Sequence, residues 1–389
     1  MPGPLRVEVA RTLGELERLR PAWEALRWRR EEAAYPYYVA RLQTRPGVTG
    51  PFAAVISGPA GPVGGLAGRI ESRRLATPIG YRNVYAPRVR ALEVVDGGLV
   101  ADDAAARQAL VGVVAGALAR SEVDVVSLPA LEVGSPLSTA LGTLGGPLGH
   151  QPLIAPWTHR RLVLPASFDE FLASRSSKTR YGTRRDAKRF EAQFGDRIAV
   201  ATLRAPGDLE PLVRDLDQVA QTTYQRRLGA GFADTPEQRA LARIGLAEGW
   251  VRASVLYLDA KPIAYWLCSV YDRTVLLRTG GYDPAYEEHA VGIYLLMHVI
   301  DDACADPGLD VLDFGPGDAA YKRQFSNESR QESNIVLFAP TLRARRINAI
   351  RTAILGPARI ARLALDAAGV TDQVRTGLRG ARRANGRRA

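Results

Sequence analysis

Apolar and polar residues alternate over residues 5–10 (LRVEVA), the period of a strand with one buried face. The spacing then lengthens. Leu13, Leu16, Leu19, Trp23 and Leu26 recur at three- and four-residue steps, which predicts a helix over 12–30 with Thr12 as its N-cap. A second helix is expected over 35–46, stopped by Pro46. Residues 51–74 read as a hairpin around a Gly/Pro turn, 81–95 as a further strand, 101–121 as a helix capped near Asp102 or Asp103, and 123–131 as a buried strand. The Gly/Pro-rich stretch Gly134–Pro156 separates this series from a second one. There, a strand at Arg160–Leu164 precedes a helix that starts with the capping pattern Ser167/Glu170 and that Gly182 is expected to break. A strand over 196–204, two helices, a three-strand meander over 251–283, a helix over Val291–Cys304 and a last strand at Asn334–Ala339 follow. Both series run strand, helices, antiparallel meander, helix, strand. No residue-level repeat accompanies this order. It predicts an α/β chain of two tandem domains, 1–150 and 151–340, each a mixed, largely antiparallel sheet flanked by helices, with a tail over 341–389.

Charge changes the picture mainly at the end of the chain. The net charge is +11, yet residues 341–389 hold 12 Arg and 2 Asp, so the tail alone contributes +10 and the other residues only +1. A basic fold for nucleic acid is therefore not implied. Leu342, Ile347, Ile350, Ile354, Ile360, Leu363 and Leu365 alternate with the tail arginines, the pattern of a basic amphipathic helix interrupted at Pro357. Such a helix either rests on anionic lipid or packs on its own domain. A second basic cluster, Arg175–Arg189, has seven positive residues and one Asp. The only cysteines, Cys268 and Cys304, lie in apolar segments and read as reduced thiols, and the four histidines show no metal-ligand spacing with them. With no long apolar run and no signal-like N-terminus, the expected location is the cytoplasm, with a peripheral contact to the inner face of the membrane through the tail.

The stretch with most chemistry is LDVLDFGPGDAAYKRQF, residues 309–325. It reads as a short strand, a turn permitted by Gly315 and Gly317, and a short helix with Asp318 as its N-cap. Tyr321 and Phe325 share a helix face, with Lys322 about 100° away from Tyr321. Asp313 at a strand end, next to a Lys–Tyr pair, is compatible both with a site and with a plain strand–turn–helix.

Four segments occur in order over residues 160–340: the Phe168–Phe190 stretch with its SSKTR core, KPIAYWL, TGGYDPAYEEHAVGIYLL and DFGPGDAAYKRQF. In these the chain resembles the GNAT acyltransferase superfamily, in the doubled form of the FemAB-type aminoacyl transferases and the CelD/BcsL-type acetyltransferases. The resemblance implies that two parallel strands, Thr274–Tyr282 and Asp310–Phe314, splay apart to admit an acyl donor. The donor's phosphates then meet the N-terminus of the helix between them, at Val291 and Gly292, where unpaired N–H groups and the helix dipole favour anions. Lys322 and Arg180 are the expected further donor contacts. The implied catalytic residues are Asp313 as proton acceptor or orienter, Tyr321 as acid, and Tyr282 as a further donor at the strand end.

The segment departs from the superfamily's Gln/Arg-x-x-Gly-x-Gly/Ala loop. With Gly292 aligned to the first glycine, His289 and Tyr294 fill the other positions; aligned to the second, Glu287 and Ala290 do. The implied activity is transfer of an acyl group from acetyl-CoA or another acyl-CoA, without a metal, to an amine or hydroxyl of an envelope sugar, polysaccharide or related small acceptor. Aminoacyl-tRNA as donor for a peptidoglycan-type peptide, and a non-catalytic scaffold at the membrane, are the other readings.

Overall fold

The computed structural model describes residues 4–367 apart from 80–81, 147–148, 152–153, 224–225 and 227–230, with side chains as far as residue 357. The first series comprises β1 (Arg6–Ala10), α1 (Leu13–Glu24), α2 (Tyr35–Thr44), β2 (Val48–Gly58), β3 (Gly61–Arg74), a small pair β4 (Thr77–Ile79) and β5 (Arg82–Tyr85), β6 (Arg88–Ala101), α3 (Ala104–Ala119) and β7 (Val125–Glu132). The short α4 (Pro136–Gly142) lies in the expected separating stretch. The second series comprises β8 (Trp157–Val163), α5 (Phe168–Ala173), α6 (Ser177–Phe194), β9 (Ile198–Leu203), α7 (Leu209–Thr222), α8 (Pro236–Ala247), β10 (Val251–Leu258), β11 (Lys261–Tyr271), β12 (Thr274–Tyr282), α9 (Val291–Ala305), β13 (Val311–Pro316), α10 (Ala320–Phe325), β14 (Glu328–Phe338) and α11 (Leu342–Ala367).

Two expected helices end differently, for identifiable reasons. Thr12 caps α1 in a full capping box with Glu15, but the helix stops at Glu24 and not at residue 30. The Trp28 indole donates to the Trp23 carbonyl (3.0 Å), and the Trp23 indole donates to the Ala33 carbonyl (2.8 Å). These bonds fold residues 25–33 back across the sheet, so Arg29 and Arg30 leave the helix. In the second series the break falls at Ser174–Ser176, where the Ser176 hydroxyl caps α6, and Gly182 stays inside α6.

All main strands join one twelve-stranded sheet in the order β1-β2-β3-β6-β7-β14-β8-β13-β12-β11-β10-β9. Counted inward from both edges, β1 matches β9, β2 matches β10, β3 matches β11, β6 matches β12 and β7 matches β13. The duplication inferred from element order is thus built into the sheet, with β14 and β8 at its centre. β14 comes late in the sequence, yet it pairs antiparallel with β7 of the first series.

Strands with both faces covered need apolar residues on both. Phe52–Ile56 of β2 are all buried in this way, Phe52, Ala54 and Ile56 toward α3 and Ala53 and Val55 toward α1. The helices α1, α2, α7 and α8 share one face, here called the front, where the Tyr37 ring of α2 meets Trp250 just after α8 (5.6 Å between centroids). α3 and α9 cover the back.

Within each half one strand pair is parallel and briefly held. β6 pairs with β7 only over Ala91–Glu93 and Val125–Ser127, and β12 with β13 only over Thr274–Leu276 and Val311–Asp313. Beyond these residues β6 stays with β3, β7 with β14, β12 with β11 and β13 with β8, so the sheet opens at two places.

The first part of the tail packs on the first half. Ala344, Ile347 and Leu355 of α11 are buried, whereas Leu342 is exposed. This apolar side therefore faces protein. Ile360, Leu363 and Leu365 lie outside the described side chains. No helix among the described residues is long and apolar enough to cross a membrane. The buried Arg351 donates to the carbonyls of Leu75 (3.1 Å) and Ala76 (2.6 Å), to the Thr77 hydroxyl (2.7 Å) and to the Gln151 side-chain oxygen (3.0 Å). Charge-assisted bonds of this kind are costly to lose. Arg351→Met is expected to lower stability by about 3 kcal/mol in urea titration, with the transition slope unchanged.

Candidate active site

The opening between β12 and β13 is bounded by the turn after β13 and by the start of α9. Gly315 (φ +70°) and Gly317 (φ +95°) adopt left-handed backbone that other residues enter only with strain. Lys322 closes this turn from inside. It is buried, and its Nζ donates to the carbonyls of Gly315 (3.1 Å) and Pro316 (2.7 Å). Burial also lowers its pKa. The expected pairing of Lys322 with a donor phosphate is therefore corrected: the ammonium is spent on the backbone. Asp318 is not the N-cap of α10, a position held by Ala319, but pairs with Arg160 (2.5 Å) and Arg323 (2.9 Å).

Tyr321 leaves α10 beside Trp266 and Phe314, at 6.0 and 6.3 Å between ring centroids. Burial pushes its hydroxyl up to about 12, so it keeps its proton at neutral pH. The Trp266 indole donates to the Gly292 carbonyl (3.2 Å), which joins this aromatic group to the first turn of α9. Tyr282 lies against the same turn: a Cβ on Gly292 would stand 3.3 Å from the Tyr282 ring. Tyr282 thus stands directly beside Gly292, and Tyr321 is joined to the same turn through Trp266. Val291 contributes only backbone, since its side chain is fully buried.

The N-terminus of α9 has no side-chain cap, and Ala290 before it is left-handed (φ 52°, ψ 33°), a conformation that favours glycine. Its counterpart α3 is different, because the Asp103 carboxylate accepts from the Ala106 N–H (2.7 Å). Of the two equivalent helix ends, only that of α9 is open to an anion. Glu287 and Glu288 are exposed to solvent. His289 packs its ring against Phe190 and Phe194. The Arg180 guanidinium donates to the Ala173 carbonyl (3.1 Å), tying α6 to the end of α5.

Asp313, the last residue of β13 paired with β12, faces the front and is almost fully buried. Arg30 donates to its Oδ2 (2.6 Å), the Gly315 N–H donates to its Oδ1 (2.8 Å), and His159 Nε2 stands 2.5 Å from the same Oδ1. The other ring nitrogen of His159 is 2.7 Å from Glu332 Oε2, and Arg330 holds Glu332 Oε1 at 2.7 Å. Ionised carboxylates only accept, so both ring nitrogens carry protons and His159 is an imidazolium. Charges alternate along the chain Arg30–Asp313–His159–Glu332–Arg330. Burial alone would raise the carboxyl pKa of Asp313, but the hydrogen bond from His159 and the charge of Arg30 outweigh it and hold the group far below the usual carboxylate range. Glu332 is lowered against burial by His159 and Arg330. Burial opposes the charged form of His159, yet its bonds to Asp313 and Glu332 raise its pKa overall. A carboxylate held this way is a poor base. Of the two roles expected for Asp313, this geometry suits an electrostatic anchor or orienter better than a proton acceptor.

Sequence reading missed Arg30, His159, Glu332 and Arg330. Arg30 was placed at the end of a helix, and His159 stood among histidines without metal spacing. His159 stands between Thr158 and Arg160 on strand β8, so the local pattern does not mark it as buried. Nothing local points to residues 30, 313 and 332.

Comparisons with known proteins bear on this geometry. Residues 177–323 match the acetyltransferase (GNAT) domain model. The match runs from the start of α6 into α10, so the matched stretch contains the β12–β13 opening, the first turn of α9 and the Gly315–Gly317 turn. Among solved structures, FemX is similar over 83% of this chain and 95% of its own, with a TM-score of 0.56 and 10% identity. A conserved protein of unknown function from Bacteroides thetaiotaomicron VPI-5482 is similar over 86% of this chain and 100% of its own, with a TM-score of 0.52 and 10% identity. At such identity the likeness is one of fold, extending over both halves. No curated protein matches the chain in sequence.

Two expectations follow. His159→Gln leaves two buried carboxylates without their shared cation and is expected to cost about 3–5 kcal/mol. The raised imidazolium stabilises the fold fully below its unfolded pKa of about 6.5 and is lost as pH rises through the folded value, while the lowered carboxylates require a pH above about 4.5. Urea titrations should therefore show the largest deficit of the variant between about pH 4.5 and 6.5, shrinking toward alkaline pH. Lys322→Met is expected to lower stability by about 2–3 kcal/mol while leaving donor affinity within about twofold, measured by urea titration beside calorimetry.

Proposed function

We propose that the chain is a GNAT-type N- or O-acyltransferase of the doubled FemAB-like form, with acetyl-CoA or another acyl-CoA as donor in the β12–β13 opening. One observation carries this reading: a parallel strand pair opens directly before a helix end without a side-chain cap, inside the stretch that matches the GNAT domain. The donor phosphates meet the N–H groups of Val291 and Gly292, and the acyl arm passes between the strands toward the front. An amine or hydroxyl then attacks the thioester carbonyl. The new C–N or C–O bond forms as the nucleophile gives up a proton to solvent, the C–S bond breaks, and the departing thiolate takes a proton from a neighbouring acid that solvent reprotonates. In this reading Tyr321, still protonated at neutral pH, gives that proton, and Tyr282 at the strand end is a further donor. The acceptor in this reading is an envelope sugar, polysaccharide or related small molecule bearing the amine or hydroxyl.

A second donor, an aminoacyl-tRNA, is favoured by one feature. α6 exposes Lys178, Arg184, Arg185, Lys188 and Arg189 along its length, a surface suited to a polyanion.

Calorimetric titration of the full chain with acetyl-CoA and with a charged tRNA separates the readings. Saturable acetyl-CoA binding supports the first, tRNA binding alone supports the second, and binding of neither favours a non-catalytic scaffold. Gly292→Val pushes a side chain into the Tyr282 ring and onto the phosphate path. It should weaken donor binding at least about tenfold, about 1.4 kcal/mol, with an unchanged melting temperature. Wild-type donor affinity in this variant would remove the donor from this place.

A further inference from the structure

The opening between β6 and β7 leads into a cavity of about 450 Å³. At the back it is bounded by Arg107 of α3 and Leu137 of α4, in the middle by the diverging part of β6, and at the front by Arg29, His159 and Asp313. It therefore passes through the sheet. Asp313 is also the last paired residue before the β12–β13 opening, so this cavity ends at the lip of the other. The two openings are three strand spacings apart across β7, β14, β8 and β13, about 14 Å.

Its electrostatics differ from those of the donor opening. The helix end beside it is closed by the Asp103 carboxylate, with Asp102 exposed next to it, which disfavours a pyrophosphate there. The guanidinium groups of two residues lining the cavity, Arg29 and Arg107, have no hydrogen bond or ion pair among the described residues. Opposite them, Asp96 on β6 meets Arg30 only at 3.8 Å. Burial, with the nearby charge of Glu32, raises its pKa, so unlike Asp313 it retains affinity for a proton.

We propose that the β6–β7 opening is the acceptor site, and that it takes a small elongated molecule with a phosphate or carboxylate at Arg107 and an amine or hydroxyl near Asp96. The role as acceptor rests on the acyltransferase reading; the binding site itself does not. A disused copy of the donor opening has become the place where the second substrate enters, and both substrates meet at the front near Asp313.

The test is calorimetry of the full chain with glucosamine 6-phosphate, glutamate and inorganic phosphate, alone and with acetyl-CoA present. Binding of glucosamine 6-phosphate or glutamate is expected, and whichever binds more tightly identifies the anion. Arg107→Ala should weaken that probe at least about tenfold and leave acetyl-CoA affinity unchanged, while Asp96→Asn should weaken the amine-bearing probe but not inorganic phosphate. Melting temperatures of both variants check that they are folded. Wild-type affinity in Arg107→Ala, displacement of the probe by acetyl-CoA, or no binding of either amine-bearing probe to the wild-type chain would each overturn the proposal. If the probe binds through Arg107 and acetyl-CoA does not bind at all, the donor reading fails and this site stands.

Discussion

The buried charge chain from Arg30 through Asp313, His159 and Glu332 to Arg330 is the constraint on which the centre of this molecule depends. Its members come from the segment after α1, from β13, from β8 and from β14. Single buried charges are too costly to keep, so each member holds the next in place. The chain clamps the two central strands, aligns the last residue of β13 paired with β12, and draws the segment carrying Arg29 and Glu32 over the second half. There Glu32 also pairs with Arg278 of β12. A cluster like this is weak evidence for net stability compared with an apolar core, but strong evidence for one geometry, because every alternative leaves an ion unpaired.

Duplication supplied two copies of the same opening, and small differences separate them. One helix end carries a carboxylate cap and the other none. One opening is lined by charged residues from both halves, whereas the other is framed by Trp266, Tyr282 and Tyr321. Because the openings share a face, groups entering from the back through each arrive at the same front surface. A sheet that is symmetric in its strands can thus bring unlike partners together.

Much of the fold was legible because periodicity and capping are local. Thr12, Asp103 and Ser167 mark helix starts in sequence and cap them in the structure. The order of elements also carried the duplication. Part of the site was legible for the same reason: Gly292, Tyr282 and Tyr321 lie in segments with distinctive local pattern. Lys322 was located but its partner was misread, because whether a charged side chain meets ligand or backbone depends on burial that a sequence does not display. The charge chain was invisible, since its partners lie far apart in sequence and meet only when β14 inserts between β7 and β8. The end of α1 was missed because two tryptophan indoles, not a proline or glycine, turn the chain.

That insertion of β14 has a consequence for how the protein is made. A nascent chain that has delivered the whole first half still lacks the strand that covers β7, and Val125, Val126 and Leu128 wait at an open edge until residues 328–338 emerge. The segment 177–323 on its own omits both β8 and β14, so it would expose β13 along its length. Each half thus leaves an open strand edge without β14 and β8, and joining them needs a long-range strand pairing of the kind that closes slowly and exposes edges to aggregation.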